Sequence, residues 1–245
     1  MNFSGRGILL DIEGTTSSVS FVYDVMFPFV RRELDSFLSA RWNDPAVIAA
    51  TDLIGRDAGH ADFRGRLDEP AARIFIEELV AKLMDGDSKT TGLKLLQGLI
   101  WEAGFQSGEL LAHVYDDVPP ALSVWNAAGI DVRIYSSGSV QAQKLFFGHS
   151  IAGNLLGQFR GHYDTTVGSK KEAASYRHIA GDFGLPPVEI LFLSDIVAEL
   201  DAARDAGFTT ALCLRPGNAP APASRGAPHP TLASFAEVQV GGTAR

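Results

Sequence analysis

Apolar and polar positions alternate with two different rhythms along this chain, and the change of rhythm divides it. Ile8-Leu9-Leu10 is a short apolar run that ends abruptly in Asp11, followed by Ile12, Glu13 and a Gly14-Thr15-Thr16 turn; this predicts a buried strand over residues 7–11 that delivers carboxylates at its tip. Beyond Pro28, Val30, Leu34, Phe37 and Leu38 recur at helical spacing and predict a helix ending near Ala40. Residues 41–67 lack a clear period and are expected to be loops with at most one short helix. Asp68-Glu69-Pro70 marks a helix start, with Ala72, Ile76, Leu79, Val80 and Leu83 on one face and Asp85-Gly86-Asp87 as the stop. Another helix from about Thr90 carries Leu93, Leu96 and Ile100 and is expected to finish at Gly104 as a left-handed cap.

After Pro119-Pro120 the pattern turns to short apolar runs between helical segments. Val132–Tyr135, Glu189–Leu193 and Thr209–Leu214 each follow a helix ending in Gly129, Gly184 or Gly207. Such alternation predicts a parallel, doubly wound α/β sheet with right-handed crossovers. The first strand has no partner nearby in sequence, so the simplest arrangement inserts the helical segment directly after it. The expected division is an α/β core of residues 1–17 and 118–245 with an inserted helical domain at 18–117. A Pro/Ala-rich stretch from Arg215 to Pro230 reads as a surface crossing, followed by a short helix near Ser234 to Val238.

With 245 residues, of which 46% are hydrophobic and 20% charged, the chain has the composition of a soluble globular protein with a substantial core. Its net charge of −8 argues against nucleic acid or an anionic membrane as partner. No run approaches the roughly 18 apolar residues that span a bilayer, and no charged leader precedes Ile8. The expectation is a cytoplasmic protein, and nothing in the pattern demands more than a monomer. The single cysteine, Cys213, lies in an apolar run and is expected to be a core thiol.

Ligands of parallel α/β sheets bind beyond the carboxyl ends of the strands. Three predicted strands end in acidic or small polar residues: Asp11; Ser136-Ser137-Gly138; and Ser194-Asp195. Lys170, placed at a helix start, is electrostatically unfavourable there unless an anion lies beside it. Each residue has a structural alternative: Asp11 or Glu13 as turn residues, Ser136 as a helix cap, Lys170 as solvated surface, Asp195 and Glu199 as complements to a helix dipole. Together they suit phosphoryl transfer through an aspartyl-phosphate, in which a carboxylate nucleophile divides a slow hydrolysis into two displacements. Mg²⁺ would bring the like charges together, held by Asp11, Asp195 and a carbonyl near Glu13. Ser136 and Lys170 would hold phosphate oxygens, and Glu13 lies on the side of the chain where a general acid is needed.

The motifs Asp11-Ile-Glu-Gly-Thr-Thr16, Tyr135-Ser-Ser-Gly-Ser-Val140, Gly168-Ser-Lys170 and Leu193-Ser-Asp195 resemble, in order, the four motifs of the haloacid dehalogenase superfamily. Glu13, where most of that superfamily has Asp, is shared with the enolase-phosphatases of methionine salvage. Leu93–Trp101, Gln143–Phe147, Ser175-Tyr176 and Glu199–Ala203 are also similar to that family. The resemblance implies a haloacid dehalogenase-like core with a helical cap and an Mg²⁺-dependent conversion of 2,3-diketo-5-methylthiopentyl-1-phosphate to 1,2-dihydroxy-3-keto-5-methylthiopentene. It also implies Asp11, Glu13 and Asp195 at the metal, Asp11 and Glu13 as catalytic groups, and Ser136, Ser137 and Lys170 at the substrate. Lys89, Lys94, Gln97 and Trp101 of the helical segment are candidate contacts for the enolisation half, as Glu13 is for its base. A phosphatase of small sugar phosphates would use the same nucleophile. A receiver-like signalling module would not carry its acceptor on the first strand or have a use for so long an insert.

Overall fold

The computed structural model describes residues 1–218 and 229–241. They form two compact units, Met1–Val22 with Leu111–Arg245 and Tyr23–Leu110. The larger is built on a six-stranded, wholly parallel sheet of β2 (Gly7–Leu10), β3 (Asp131–Tyr135), β4 (Gly161–Tyr163), β5 (Ile190–Ser194), β6 (Thr209–Cys213) and β7 (Thr231–Leu232), ordered β4-β3-β2-β5-β6-β7. β1 (Asn2–Phe3) and β8 (Gln239–Val240) pair separately. Winding runs outward from β2 through β3 to β4, then restarts on its other side with β5 and β6. The switch point of this doubly wound sheet therefore lies at the carboxyl end of β2, where ligands bind in such folds.

All four residues of β2 are buried, as expected of a strand covered on both faces. The pleat sends Leu9 into a core with Tyr135, Tyr176, Ile179, Phe192, Leu200 and Phe208. Four helices of the larger unit, α7 (Val118–Ala127), α8 (Val140–Gly148), α9 (Ala173–Phe183) and α10 (Val197–Asp205), make the crossovers and cover the sheet.

The smaller unit is helical. The chain enters it through α1 (Val19–Phe21) and a π-helical turn, Val22–Met26. It continues through α2 (Phe27–Arg41), α3 (Pro45–Asp57), α4 (Phe63–Arg66), α5 (Glu69–Asp85) and α6 (Thr91–Ser107), with α2 and α3 both packed on α5 and α6.

Several expectations need correction. Residues 41–67 hold a full helix: Asp44 caps α3 by accepting from the Ala46 amide at 2.9 Å, and Pro45 occupies its first turn. Gly104 lies inside α6, where an added Cβ would stand 2.4 Å from the Phe29 ring; the left-handed cap is Gly108, with φ of 77°. The compact units part at 22/23 and 110/111 rather than 17/18 and 117/118. Ser17 and Ser18 are tied to His113 Nδ1 at 3.3 and 3.2 Å, and Phe21 packs edge-on against Phe146, so both flanks belong with the sheet. The helix near Ser234 is a 3₁₀ turn, Phe235–Glu237, with a reciprocal Ser234/Glu237 capping box. Most of the Pro/Ala-rich stretch lies outside the described residues.

Candidate active site

Asp11 is the first residue beyond β2, and its amide extends the ladder to Leu193 O at 3.0 Å. The chain then reverses sharply: the amides of Thr15, Thr16 and Ser17 all donate to Ile12 O at 2.9–3.2 Å, and Gly14 takes φ of 69°. Glycine is required twice over here. Its φ suits no ordinary side chain, and a Cβ would lie 2.2 Å from Asp195 Oδ2. The tight turn after the first strand thus brings the carboxylate of the third motif strand against its backbone.

Lys170 completes the cluster. It lies not in a helix but in the turn ahead of α9, whose N-cap is Glu172. Tyr176 Oη donates to Lys170 O at 2.7 Å, Tyr135 Oη to Gly168 O at 3.0 Å and Ser175 Oγ to Ser169 O at 2.8 Å. Held this way, the buried ammonium meets Asp11 Oδ1 at 2.6 Å and Glu199 Oε2 at 2.8 Å. Burial opposes its charge most strongly, yet Asp11 and Glu199 together outweigh it and raise its pKa. The anions that explain a lysine at this position are carboxylates of the protein itself.

The two oxygens of Asp11 differ. Oδ1 accepts from Lys170 and from the Ile12 amide at 2.8 Å, whereas among the described residues Oδ2 has only Ser194 Oγ, at 3.5 Å. The one proton of Ser194 Oγ is directed by distance to Glu199 Oε2, at 3.0 Å, and the same oxygen accepts from the Ile196 amide. Glu199 is therefore wired into the site rather than merely complementing a helix dipole. Its pKa is raised, first by burial and then by Asp11, against the pull of Lys170. Asp195 is pushed up to about 7 by burial, then by the charge of Asp11 and, less, of Glu13.

Ser136 follows β3 and is buried; its Oγ accepts from the Gly138 amide at 3.2 Å. Ser137 is exposed. The cap of α8 is Ser139, which accepts from the Ala142 amide, so Ser136 is not a helix cap. Glu13 is half-buried on the turn and bridges to Ser17. Asp11, Glu13, Ser136, Ser137, Lys170 and Asp195 thus all come from the carboxyl edge around the switch point. Within the helical unit, Trp101 Nε1 donates to Met26 O at 2.9 Å, Lys89 pairs with Asp87, and Gln97 is buried. Burial lifts the Cys213 thiol to about 12, which suits a core residue and not a nucleophile.

The donor set fits a hard cation. Asp195 is a half-buried carboxylate beside like charges, and Asn218 Oδ1, a buried acceptor without a hydrogen-bond partner among the described residues, lies 3.0 Å from the same Gly14 Cβ position. Oxygen ligands of this kind suit Mg²⁺. No group of three or more His, Cys, Asp or Glu side chains among the described residues is arranged to hold a metal alone. A cation here would need backbone carbonyl, substrate or solvent oxygens beside Asp11 and Asp195.

Sequence reasoning passed over Arg215, Asn218 and Asp117, which lie around the turn that follows Asp11. Arg215 follows the apolar run of β6 and could have been flagged as a strand-end residue like the others.

The model of the haloacid dehalogenase-like hydrolases matches residues 6–207, and the chain belongs to that family. It is 48% identical to an enolase-phosphatase E1 of Pseudomonas aeruginosa over 96% of this chain and 98% of the relative, and 45% identical to one of Drosophila melanogaster over 86% and 84%. The crystal structure of the UTR4 protein of Saccharomyces cerevisiae aligns with a TM-score of 0.79 at 32% identity, covering 96% of this chain and all of that one. Within the hydrolases the chain therefore falls with the enolase-phosphatases.

Proposed function

We propose that this enzyme converts 2,3-diketo-5-methylthiopentyl-1-phosphate to 1,2-dihydroxy-3-keto-5-methylthiopentene and phosphate, a step of methionine salvage, with Mg²⁺ as its metal. The observation that carries the phosphatase half is the buried Asp11–Lys170–Glu199 cluster at the switch point, with Asp11 Oδ2 left as the lightly held oxygen. Asp11 Oδ2 attacks phosphorus, the bond from phosphorus to the enol oxygen breaks, and Glu13 gives its proton to the leaving oxygen. Water then attacks phosphorus, the acyl-phosphate bond to Asp11 breaks, and Glu13 takes the proton of that water.

Asp11, Asp195 and the backbone carbonyl at Glu13 would hold Mg²⁺, which supplies positive charge against the approach of carboxylate to phosphate. Lys170 serves the same end from the protein: a unit pair at about 4 Å contributes roughly 4 kcal/mol at an effective dielectric near 20. Its tie to Oδ1 leaves Oδ2 as the attacking atom. Ser136 and Ser137 are assigned to the phosphate oxygens.

Enolisation precedes phosphate loss and needs a base beside a carbonyl. Glu13 is assigned to it: as a carboxylate it takes the C1 proton and returns it to the C2 oxygen, which completes the enol, and it is reprotonated from solvent before it serves as acid to the leaving oxygen; its charge acts beside that of Asp195. The helical unit is assigned as the cap that selects the substrate. The proposal also includes a cytoplasmic location, in keeping with a small phosphorylated metabolite, and a monomeric chain, which analytical sedimentation checks. No helix of the described residues is long and apolar enough to cross a membrane.

The test sets the diketone phosphate, followed by acireductone absorbance, beside a panel of sugar phosphates. Preferential turnover of the diketone is expected; comparable turnover across the panel would overturn the substrate assignment.

A further inference from the structure

The turn that follows the nucleophile is held from outside by the carboxyl end of β6. Three consecutive carbonyls are taken. Gly14 O accepts from Asn218 Nδ2 at 2.8 Å, Thr15 O from Arg215 Nε at 2.9 Å, and Thr16 O from the Tyr115 amide at 3.1 Å. Arg215 is buried with its guanidinium between the rings of Tyr115 and Phe235, 4.7 and 4.5 Å from their centroids. Its Nη1 donates to Asp117 Oδ2 at 2.8 Å and to Ala233 O at 3.1 Å, while Nη2 is buried with no hydrogen-bond partner among the described residues. Asp117 Oδ2 accepts also from Ser234 Oγ and the Phe235 amide. The Asn218 amide donates to Arg215 O at 3.1 Å and its Nδ2 to Cys213 O at 3.3 Å, so both side chains are fixed to one frame.

A buried arginine with an unsatisfied donor is costly, and a hydrophobic side chain of similar volume would serve packing better. What the guanidinium supplies that such a side chain cannot is a directed donor at Thr15 O. The consequence of that direction lies next door: Gly14 sits 2.2 Å, at its Cβ position, from Asp195 Oδ2, and Glu13 precedes it. A shift of the turn moves the Glu13 carbonyl relative to both Asp11 and Asp195.

We propose that Arg215 and Asn218 are positioning residues that set the Glu13-Gly14-Thr15 backbone, and through it the metal-holding geometry of Asp11 and Asp195. This rests on the phosphatase reading of the site. Groups that orient metal ligands from behind typically govern affinity by about 10- to 100-fold.

The test measures Mg²⁺ binding by calorimetry, with kcat and KM for the phosphate ester, in the full chain carrying Arg215→Met, Arg215→Lys or Asn218→Ala, each checked for folding by circular dichroism. Arg215→Met and Asn218→Ala are expected to weaken Mg²⁺ binding about tenfold or more and to lower kcat, with KM changed by about twofold or less. Arg215→Lys, which keeps one directed donor, should recover part of both. Folded variants with wild-type Mg²⁺ affinity and kcat, changed only in melting temperature, would overturn the inference by showing a purely structural clamp. Should the Arg215 variants not fold, Asn218→Ala decides alone by the same criterion. A wild-type chain that neither binds Mg²⁺ nor releases phosphate refutes the reading of the site itself, and this inference with it.

Discussion

At the scale of single residues, the site depends on inequality between chemically similar groups. Asp11, Asp195 and Glu199 are all carboxylates, yet Asp11 and Glu199 pair with Lys170, and burial followed by the charge of Asp11 pushes both Asp195 and Glu199 up to about 7. That division leaves one oxygen of Asp11 lightly held, whereas Glu199 is occupied by both Lys170 and Ser194. Glu13 stands apart on the turn and is assigned the proton transfers. Glu13→Gln is therefore expected to slow phosphate release about 100-fold for an alkyl phosphate and far less for p-nitrophenyl phosphate, whose leaving oxygen needs no acid. Equal losses for both would count against the assignment.

Histidines offer a separate residue-scale test away from the chemistry. Gln143 Nε2 donates to Gly138 O and Tyr163 O, both at 2.8 Å, which turns its Oε1 toward His162 Nδ1 at 3.2 Å and makes that nitrogen the donor. Burial first, and Lys144 second, hold the ring's pKa down at about 4. The unfolded chain then binds a proton near pH 6.5 that the folded chain refuses until about pH 4. Stability from this group is complete above pH 6.5 and is lost as pH falls through that window. His162→Gln should flatten the slope of unfolding free energy against pH between 6.5 and 4 in urea titrations; an unchanged slope would place the titration elsewhere.

Among elements, the sequence was most legible where period and punctuation agreed. The strands ending at Asp11, Ser136 and Ser194 were marked by apolar runs closed by small polar residues, and α5 by Asp68, Pro70 and Gly86. α3 escaped because its buried stripe, Val47, Ala50, Thr51, Ile54 and Gly55, is largely of small or polar residues, although Asp44-Pro45 was a sound start signal. α6 ran past Gly104 because that glycine answers to packing, with Phe29 pressed against it, and not to a turn. Gly104→Ala tests this directly. Overpacking against the ring should cost about 1–3 kcal/mol by denaturant unfolding, whereas a gain in stability, as for an ordinary glycine in a helix, would show that the contact yields easily.

The site was legible in part for a similar reason. Residues at strand ends announce themselves locally, whereas Lys170 stood out as a cation at a helix start, a placement the structure replaces with a turn ahead of α9. Its partners did not: that Lys170 reaches Glu199 as well as Asp11 depends on how α10 docks on the sheet, which no local pattern encodes. The same holds for Arg215, whose guanidinium joins positions 15, 117 and 233, far apart in sequence.

Taken whole, the molecule places its chemistry where sheet winding reverses. β3 and β5 flank β2 on opposite sides, so three strand ends converge without any of them needing a long loop. Inserting the helical unit after Val22 and returning at Leu111 leaves that sheet uninterrupted, since β3 pairs with β2 in full register from Gly7↔Asp131 to Leu10↔Ile134.

The central claim is that Asp11 is the nucleophile, and the most direct measurement is phosphate release by Asp11→Asn, which keeps the shape of the side chain and removes its charge. With folding verified, release should fall below a few per cent of the wild-type rate. Retention above that level would contradict the account.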